Sequence, residues 1–241
     1  MRDATMLGTV LGVWAHPDDD IYLSAGLMTA AVEGGQRVVD VTATRGEGGS
    51  MDEEKWPPTR MGDVRTNELL RSLDVLGVKE HYFLEGPIDI DMDTALDPSG
   101  ADQVRRIMKE VDPDSVLTFG PEGMTGHAAH QDVSRWAGEA FGQVAKSGAR
   151  LYHAVFPTSL ADEWLEKLAP FGIFRPGTPN IVADEDMDLY FELSPELLDR
   201  KMASIKEHAS QIEALYEVFG DEGFRRFMAK EGFVLAAEKE P

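Results

Sequence analysis

The sequence predicts an α/β fold, a Rossmann-like and mainly parallel sheet with helices on both faces. Short runs rich in apolar and β-branched residues alternate with stretches of helical periodicity between residues 7 and 156. This alternation is typical of parallel sheets, because each helix carries the chain back to the same edge of the sheet. Such folds bind ligands beyond the carboxyl ends of their strands, so functional side chains are expected there.

The first half of the chain is predicted to contain three strands and two helices. An apolar run at residues 7–15 is the first strand, and the helix over 21–32 ends at a glycine pair. The β-branched run 37–44 is the second strand. The elements that follow are a glycine-rich, acidic loop over 45–58, a helix that ends at Gly77 and a third strand over 81–84.

The second half continues the pattern and then loosens. The predicted elements are a helix over 101–111, a fourth strand over 115–120, a helix that begins near His127 and ends at Gly148, and a fifth strand over 150–156. A strand at 188–193 then precedes one long helix, which Ser194 and Pro195 open and which is predicted to end at Gly220. No repeat or linker divides the chain, so we expect a single domain over residues 1–241.

Composition excludes several classes of function. The chain has 241 residues and a formal net charge of −21, which disfavours nucleic acid as a partner. It has no cysteine, and therefore no disulfide, thiolate nucleophile or cysteine-based zinc finger. Residues 1–15 lack the features of a secretory signal, and no apolar run approaches the roughly 20 residues needed to cross a bilayer. We expect a cytoplasmic protein without a membrane partner.

Histidine and aspartate residues follow the first and the fourth predicted strands. His16 and Asp19 are three residues apart at a strand-to-helix turn, where both side chains can reach one cation. Imidazole and carboxylate suit zinc, which in catalytic sites takes three protein ligands and keeps an open position. The third ligand would be His127 or His130. Asp18 lies between the first two ligands, where a free carboxylate is suited to act as a general base. The sequence therefore predicts a metal site at the carboxyl ends of the strands.

These motifs resemble those of a known family. The stretch from Ala15 to Asp19, with the later Gly126-His127-x-x-His130, is similar to the LmbE-like, or PIG-L, family of zinc-dependent de-N-acetylases. Residues 45–49, 65–68, 76–77 and 208–211 also look similar, so the resemblance covers most of the chain. It implies a hydrolase that removes an acyl group, usually acetyl, from an N-acetylglucosamine-containing small molecule, and possible assembly into a homo-oligomer.

The resemblance also implies roles for individual residues. His16, Asp19 and His130 would hold the zinc ion, although Fe²⁺ accepts the same ligands. Asp18 would be the general base, and His127 would face the developing oxyanion. Arg65 and Glu47 would line the sugar pocket.

Three positions depart from the family's pattern. Asp20 stands where the family usually has glutamate, and Glu85 stands before Gly86 where an Asp-Gly pair is common. Ala129 occupies the position of an aspartate that would pair with the oxyanion histidine. Asp132 is close in sequence, and whether it replaces that aspartate is a question for the structure.

Other interpretations of the same residues stay open. Asp18 or Asp19 could be an ordinary N-cap, and the two later histidines could form a plain polar helix face. The acidic segment 89–93 lacks the glycine and glutamate of an EF-hand loop, so we expect a solvated loop there. The alternative functions are cleavage of an amide in a thiol- or antibiotic-type conjugate, a non-catalytic metal- or nucleotide-binding Rossmann-like module, and an acidic interaction protein.

Overall fold

The computed structural model describes residues 4–240, and its strands form one eight-stranded sheet in the order β3-β2-β1-β4-β5-β8-β7, with the short β6 paired to β5. The strands are β1 Val10–Trp14, β2 Val38–Thr42, β3 Glu80–Phe83, β4 Ser115–Phe119, β5 Arg150–Pro157, β6 Ile181–Val182, β7 Leu189–Glu192 and β8 Lys230–Glu238. Strands β1 to β5 pair in parallel, whereas β8 is antiparallel to both β5 and β7. The predicted mainly parallel α/β sheet is confirmed.

The helices flank this sheet in packed groups. They are α1 Asp19–Glu33, α2 Met61–Leu76, α3 Ser99–Val111, α4 Ala128–Val144, α5 Thr158–Leu168, α6 Pro195–Ile205 and α7 Ala209–Met228. Helix α6 packs on α1 and α2, while α3 packs on α4. No described helix has both the length and the apolar character that a membrane crossing requires.

The local signals in the sequence explain most of these boundaries. Every residue of β1, β2 and β4 is buried, as expected for central parallel strands. Gly77 ends α2 with a φ of 81°, in the left-handed region that glycine tolerates. The backbone N–H of Leu197 donates to Ser194 Oγ over 3.3 Å, so the predicted N-cap of α6 is present.

Two predicted helices differ from the structure. The helix expected to end at Gly148 ends at Val144. The long helix expected from 194 to Gly220 is two helices, because α6 ends at Ile205 and α7 begins at Ala209. The backbone N–H and the hydroxyl of Ser210 donate to the buried carboxylate of Glu68 over 2.9 and 2.6 Å, which anchors the new helix start. At Gly220 the backbone leaves the helical region, with φ 63° and ψ 177°, so a break lies at the predicted stop, and the helical stretch after it buries Phe224 and Met228.

The sheet changes direction along its order between β1 and β4. In a doubly wound sheet the loops after these two neighbouring strands diverge and leave a crevice at the carboxyl edge. His16 follows β1, and the segment with His127 and His130 follows β4. The fold therefore brings the two histidine motifs to the same crevice.

Candidate metal centre and cavity

The turn after β1 positions its carboxylates by backbone geometry. Asp19 Oδ2 accepts a hydrogen bond from the backbone N–H of His16 over 2.7 Å, which closes the turn. Asp18 has a φ of 120°, a conformation that costs energy for a residue with a side chain. Its side chain makes no capping hydrogen bond to α1, so the N-cap interpretation of Asp18 is wrong. The strained turn instead directs the side chain of Asp18 into a cavity.

His130 is oriented by the loop that precedes α4. Its Nδ1 lies 2.9 Å from the carbonyl oxygen of Gly123, an acceptor, so Nδ1 carries the proton and Nε2 has a free lone pair. Gly123 allows this close approach, because a Cβ there would lie 2.9 Å from Cβ of His130. The ring also stacks on Phe119, with centroids 4.2 Å apart. Burial, followed by the effect of His16, holds the pKa of His130 well below its usual range and favours the neutral form.

Three side chains converge between the two motifs. His16 Nδ1 lies 2.9 Å from His130 Nε2, and the two oxygens of Asp19 lie 3.6 and 3.4 Å from these same nitrogens. Ligands at 2.0–2.1 Å around a tetrahedral zinc ion are separated by about 3.3 Å. The spacing, the free lone pair of His130 and the carboxylate therefore fit a bound zinc ion.

His127 lies beside this group. One ring nitrogen from each of His16, His127 and His130 lies within 4.8 Å of the other two, so a ligand set of three histidines is also compatible with the distances. Burial lowers the pKa of His127 to about 4, with a further contribution from His130. The imidazole is consequently neutral at neutral pH.

Asp132 does not orient His127. Its two carboxylate oxygens accept from the backbone N–H of Leu96 over 2.8 Å and from Arg135 over 2.6 Å. Within residues 4–240, Nδ1 of His127 is buried with no hydrogen-bond partner. Asp132 therefore does not replace the carboxylate that the resemblance places at the position of Ala129.

Arg65 lines the cavity and also lies under Asp18. Its guanidinium donates to the carbonyl oxygen of Pro17 over 2.7 Å and lies 3.2 Å from Asp18 Oδ1, and only 4% of the residue is exposed. Burial raises the pKa of Asp18 to about 7, and the positive charge of Arg65 opposes that rise. The pair therefore holds a carboxyl group whose pKa is close to neutral pH.

Glu47 and Asp89 differ from their expected placements. Glu47 is absent from the cavity lining among the described residues; its Oε2 accepts from the backbone N–H of Asp89 over 3.2 Å. Asp89, expected in a solvated loop, is 9% exposed and its Oδ1 lies 3.4 Å from His16 Nε2. The segment 89–93 alone gave no signal for this, because the approach depends on the loops after β2 and β3 meeting.

These groups open into a cavity of about 530 Å³. Asp18, Asp19 and the three histidines line one part of it, together with Gly48, Gly49 and Gln211. The glycine-rich loop after β2 thus forms a pocket wall. Pockets of this size hold small-molecule substrates.

The fold and the site define a class of protein: an α/β enzyme with histidine and carboxylate groups gathered at the topological switch point of a parallel sheet. The family model described as PIG-L, GlcNAc-PI de-N-acetylase, matches residues 11–141, more than half of the chain. The chain belongs to the PIG-L, or LmbE-like, family.

Individual proteins support this placement. A 1D-myo-inositol 2-acetamido-2-deoxy-α-D-glucopyranoside deacetylase from Kineococcus radiotolerans is 28% identical over an alignment of 251 positions, gaps included. The alignment covers 84% of this chain and 68% of that relative. The N,N'-diacetylchitobiose deacetylase from Pyrococcus horikoshii has a TM-score of 0.68 at 20% identity, covering 97% of this chain and 86% of its own. The hydratase GalB from Pseudomonas putida shares the fold at a TM-score of 0.63 and 17% identity, with 98% of each chain covered. A fold that also occurs in a hydratase does not define the reaction, so the site must.

Proposed function

We propose that the protein is a zinc-dependent hydrolase that removes an N-acyl group, such as acetyl, from a small molecule containing an amino sugar. The observation that carries this proposal is the convergence of His16, Asp19 and His130 in one cavity, beside the carboxyl group of Asp18 that Arg65 contacts. The activity named for the Kineococcus relative, deacetylation of a 2-acetamido sugar, supports the substrate class.

His16, Asp19 and His130 would hold the metal. When bound, zinc supplies Lewis-acid polarisation of the amide carbonyl and makes water a stronger acid, and Fe²⁺ would suit the same ligands. The remaining chemistry belongs to the side chains of this chain.

Asp18 acts as the general base and then as the general acid. Its carboxylate takes a proton from water as the water oxygen attacks the amide carbon, and it returns that proton to the nitrogen as the C–N bond breaks. A pKa of about 7 suits both steps at neutral pH. Arg65 positions this carboxylate through the 3.2 Å contact. The products are a carboxylic acid and the free amine.

His127 stabilises the oxyanion that forms on the carbonyl oxygen. Because the imidazole is neutral, it acts by donating one N–H hydrogen bond rather than by supplying a full charge. Glu47, through the backbone N–H of Asp89, holds the loop that brings Asp89 to the centre. We assign Asp89, rather than Glu47, to the polar wall that contacts the sugar.

The test is acetate release from a panel of N-acetylglucosaminyl compounds by metal-reconstituted protein, with metal content measured on the same sample. Acetate release at about one metal per chain supports the proposal. Bound metal with neither acetate from this panel nor glucosamine from longer N-acylglucosamines would contradict it, and a panel of other amides would then separate an amidase of thiol- or antibiotic-type conjugates from a non-catalytic module.

The Asp18→Asn variant tests the mechanism itself. We expect it to keep its metal and to lose about 100- to 10,000-fold in kcat, because the proton acceptor is gone. Asp162→Asn, an exposed change on α5, is the matched control and should retain full activity. If Asp18→Asn hydrolyses the substrate as fast as the parent, the assignment of the base is wrong.

A further inference from the structure

One end of the cavity is a hydrophobic compartment, which we name the apolar chamber. Its walls include Phe156 at the end of β5, Leu160 of α5, Phe171, Ile173 and Phe174 in the segment after α5, and Phe227 of α7. The ring centroids of Phe156 lie 5.6 Å from Phe174 and 6.4 Å from Phe227. Ile173 and Phe174 are half-buried. Exposed apolar surface inside a cavity is stabilised by an apolar ligand.

The charged side chains at this end already have partners. Lys230 Nζ donates to the hydroxyl of Ser159 over 2.7 Å and lies 3.8 Å from Asp184. Glu231 forms a 2.7 Å ion pair with Lys201. The chamber therefore offers hydrocarbon contacts and no unpaired charge from these residues to an incoming group.

The order of the strands places the chamber on one side of the metal centre. The polar wall comes from the loops after β2 and β3, with Gly48, Gly49 and Asp89. The centre lies on β1 and β4, next in the sheet order, and the chamber begins at β5, beyond β4. A substrate bound across the edge therefore meets polar groups, then the centre, then apolar groups.

An N-acylated amino sugar has the same order of chemistry. Its sugar is polar, its amide is the reacting group, and its acyl chain lies on the opposite side of the amide from the sugar. We infer that this enzyme acts on amino sugars that carry an acyl chain much longer than acetyl, with the chain in the apolar chamber and the sugar against the polar wall. The inference rests on the proposed hydrolase function and specifies its substrate.

The test compares hydrolysis of N-acetyl-, N-butanoyl- and N-octanoylglucosamine by the metal-loaded enzyme, below micellar concentrations, with glucosamine release as the readout. Burial of one methylene contributes about fourfold to binding. Six additional methylenes should raise kcat/KM by at least about 100-fold, since part of the chain stays in contact with water. Equal kcat/KM across the series would overturn the inference.

A second series separates the acyl chain from a hydrophobic aglycone. Methyl and octyl glycosides of N-acetylglucosamine place the same hydrocarbon on the sugar instead of on the amide. We expect kcat/KM for the two glycosides to agree within about threefold. This difference is far smaller than the gain of at least about 100-fold expected between N-acetyl- and N-octanoylglucosamine. A large gain confined to the octyl glycoside would overturn the inference and assign the chamber to the aglycone.

Ile173→Gln places a polar side chain in the chamber at a half-buried position, where folding is least at risk. We expect it to reduce the ratio of kcat/KM for N-octanoylglucosamine to kcat/KM for N-acetylglucosamine at least tenfold. Ile181→Gln is the matched control, because Ile181 is 45% exposed and lies outside the cavity lining. A variant that loses activity equally on both substrates would contradict a chamber specific for the chain.

Binding measured by calorimetry distinguishes this inference from the proposed function. If no substrate is hydrolysed but N-octanoylglucosamine binds more tightly than N-acetylglucosamine, and Ile173→Gln removes the difference, the chamber is supported and the hydrolase proposal fails. If neither hydrolysis nor chain-dependent binding is found, both fail.

Discussion

Two buried polar clusters touch the same helix, α1, and they are built in opposite ways. At its start, His16, Asp18 and Asp19 form the candidate metal centre. Among residues 4–240 the buried Nε2 of His16 makes no well-aligned hydrogen bond, and Asp89 Oδ1 lies 3.4 Å from it. At its middle, Lys201 and Glu231 form an ion pair of 2.7 Å in which neither side chain is exposed. We call this second cluster the internal ion pair.

The internal ion pair is fully satisfied. The two oxygens of Glu231 accept from the backbone N–H groups of Gly26 and Leu27 over 2.8 and 2.9 Å, and Lys201 Nζ also donates to the carbonyl oxygen of Tyr22 over 2.9 Å. It thereby ties β8 and α6 to α1. A buried charge with a complete set of partners holds the fold together, whereas buried donors and acceptors that face each other across a cavity await a ligand.

From this comparison we predict that substitutions at the metal centre abolish metal binding but change the free energy of unfolding only slightly. His16→Ala and His130→Ala should each lose bound zinc after purification and lose activity with it, because one of three ligands is gone. The free energy of unfolding of the metal-free protein should change by less than about 2 kcal/mol. Metal analysis and denaturant unfolding on the same samples measure both quantities.

The opposite pattern of metal loss would change the assigned ligand set. If His130→Ala keeps a full complement of metal while His127→Ala loses it, the assignments of ligand and oxyanion donor must be exchanged. The three-histidine cluster within 4.8 Å makes that exchange geometrically possible.

Substitution in the internal ion pair should have the reverse effect. Lys201→Met leaves Glu231 buried without its cation, which costs about 3–5 kcal/mol of unfolding free energy. Metal content and kcat of the remaining folded protein should be unchanged. Lys206→Met is the matched control, since Lys206 forms an exposed ion pair with Asp221 and should cost less than about 1 kcal/mol. If folded Lys201→Met protein has lost its metal, the two clusters are not independent of each other.

The sequence could predict the first cluster but not the second. The histidine motifs follow strong apolar strands, so their meeting at the carboxyl edge follows from the parallel topology alone. The internal ion pair depends on β8, which sequence periodicity did not identify, because its residues 235–238 are mostly solvent-exposed and its pattern does not alternate. The break between α6 and α7 was also missed, since a tertiary bond from Ser210 to Glu68 sets it.

The roles of Arg65 and Asp89 show the same limit. The sequence resemblance predicts Arg65 in the wall of the sugar pocket, and Arg65 does line the cavity, but its contact with Asp18 depends on how α2 packs against the turn after β1. Asp89 reaches His16 because the loop after β3 is held by Glu47 in the loop after β2. Motifs thus predicted the residues that gather at the candidate centre, but long-range packing determines which other side chains contact them. The single domain, the cytoplasmic location and the possible homo-oligomer stay predictions.

Asp40 on β2 shares features with both clusters, and its substitution is expected to have the smallest effect of these variants. It is fully buried but lies outside the cavity lining, and one of its oxygens has no partner among the described residues, while the other accepts from Thr42 over 3.3 Å. His81 on β3 lies 3.7 Å away with a pKa lowered by burial to about 4, so it supplies no charge at neutral pH. Burial raises the pKa of Asp40 to about 7, with the nearby carboxylate of Asp19 adding to the rise.

The folded protein therefore binds a proton at Asp40 that the unfolded chain releases above a pKa near 4. Stability from this group is present at low pH and falls as the pH rises toward 7, by about 2 kcal/mol between pH 5 and pH 7. Asp40→Asn should remove that decline. The unfolding free energy of the variant relative to that of the parent should therefore rise by about 2 kcal/mol from pH 5 to pH 7. Asp162→Asn should follow the parent at every pH. A parallel pH dependence of Asp40→Asn and parent would mean that Asp40 is ionised in the fold. It would then belong with the satisfied charges, and an unpartnered buried oxygen would not by itself separate functional from structural polar groups.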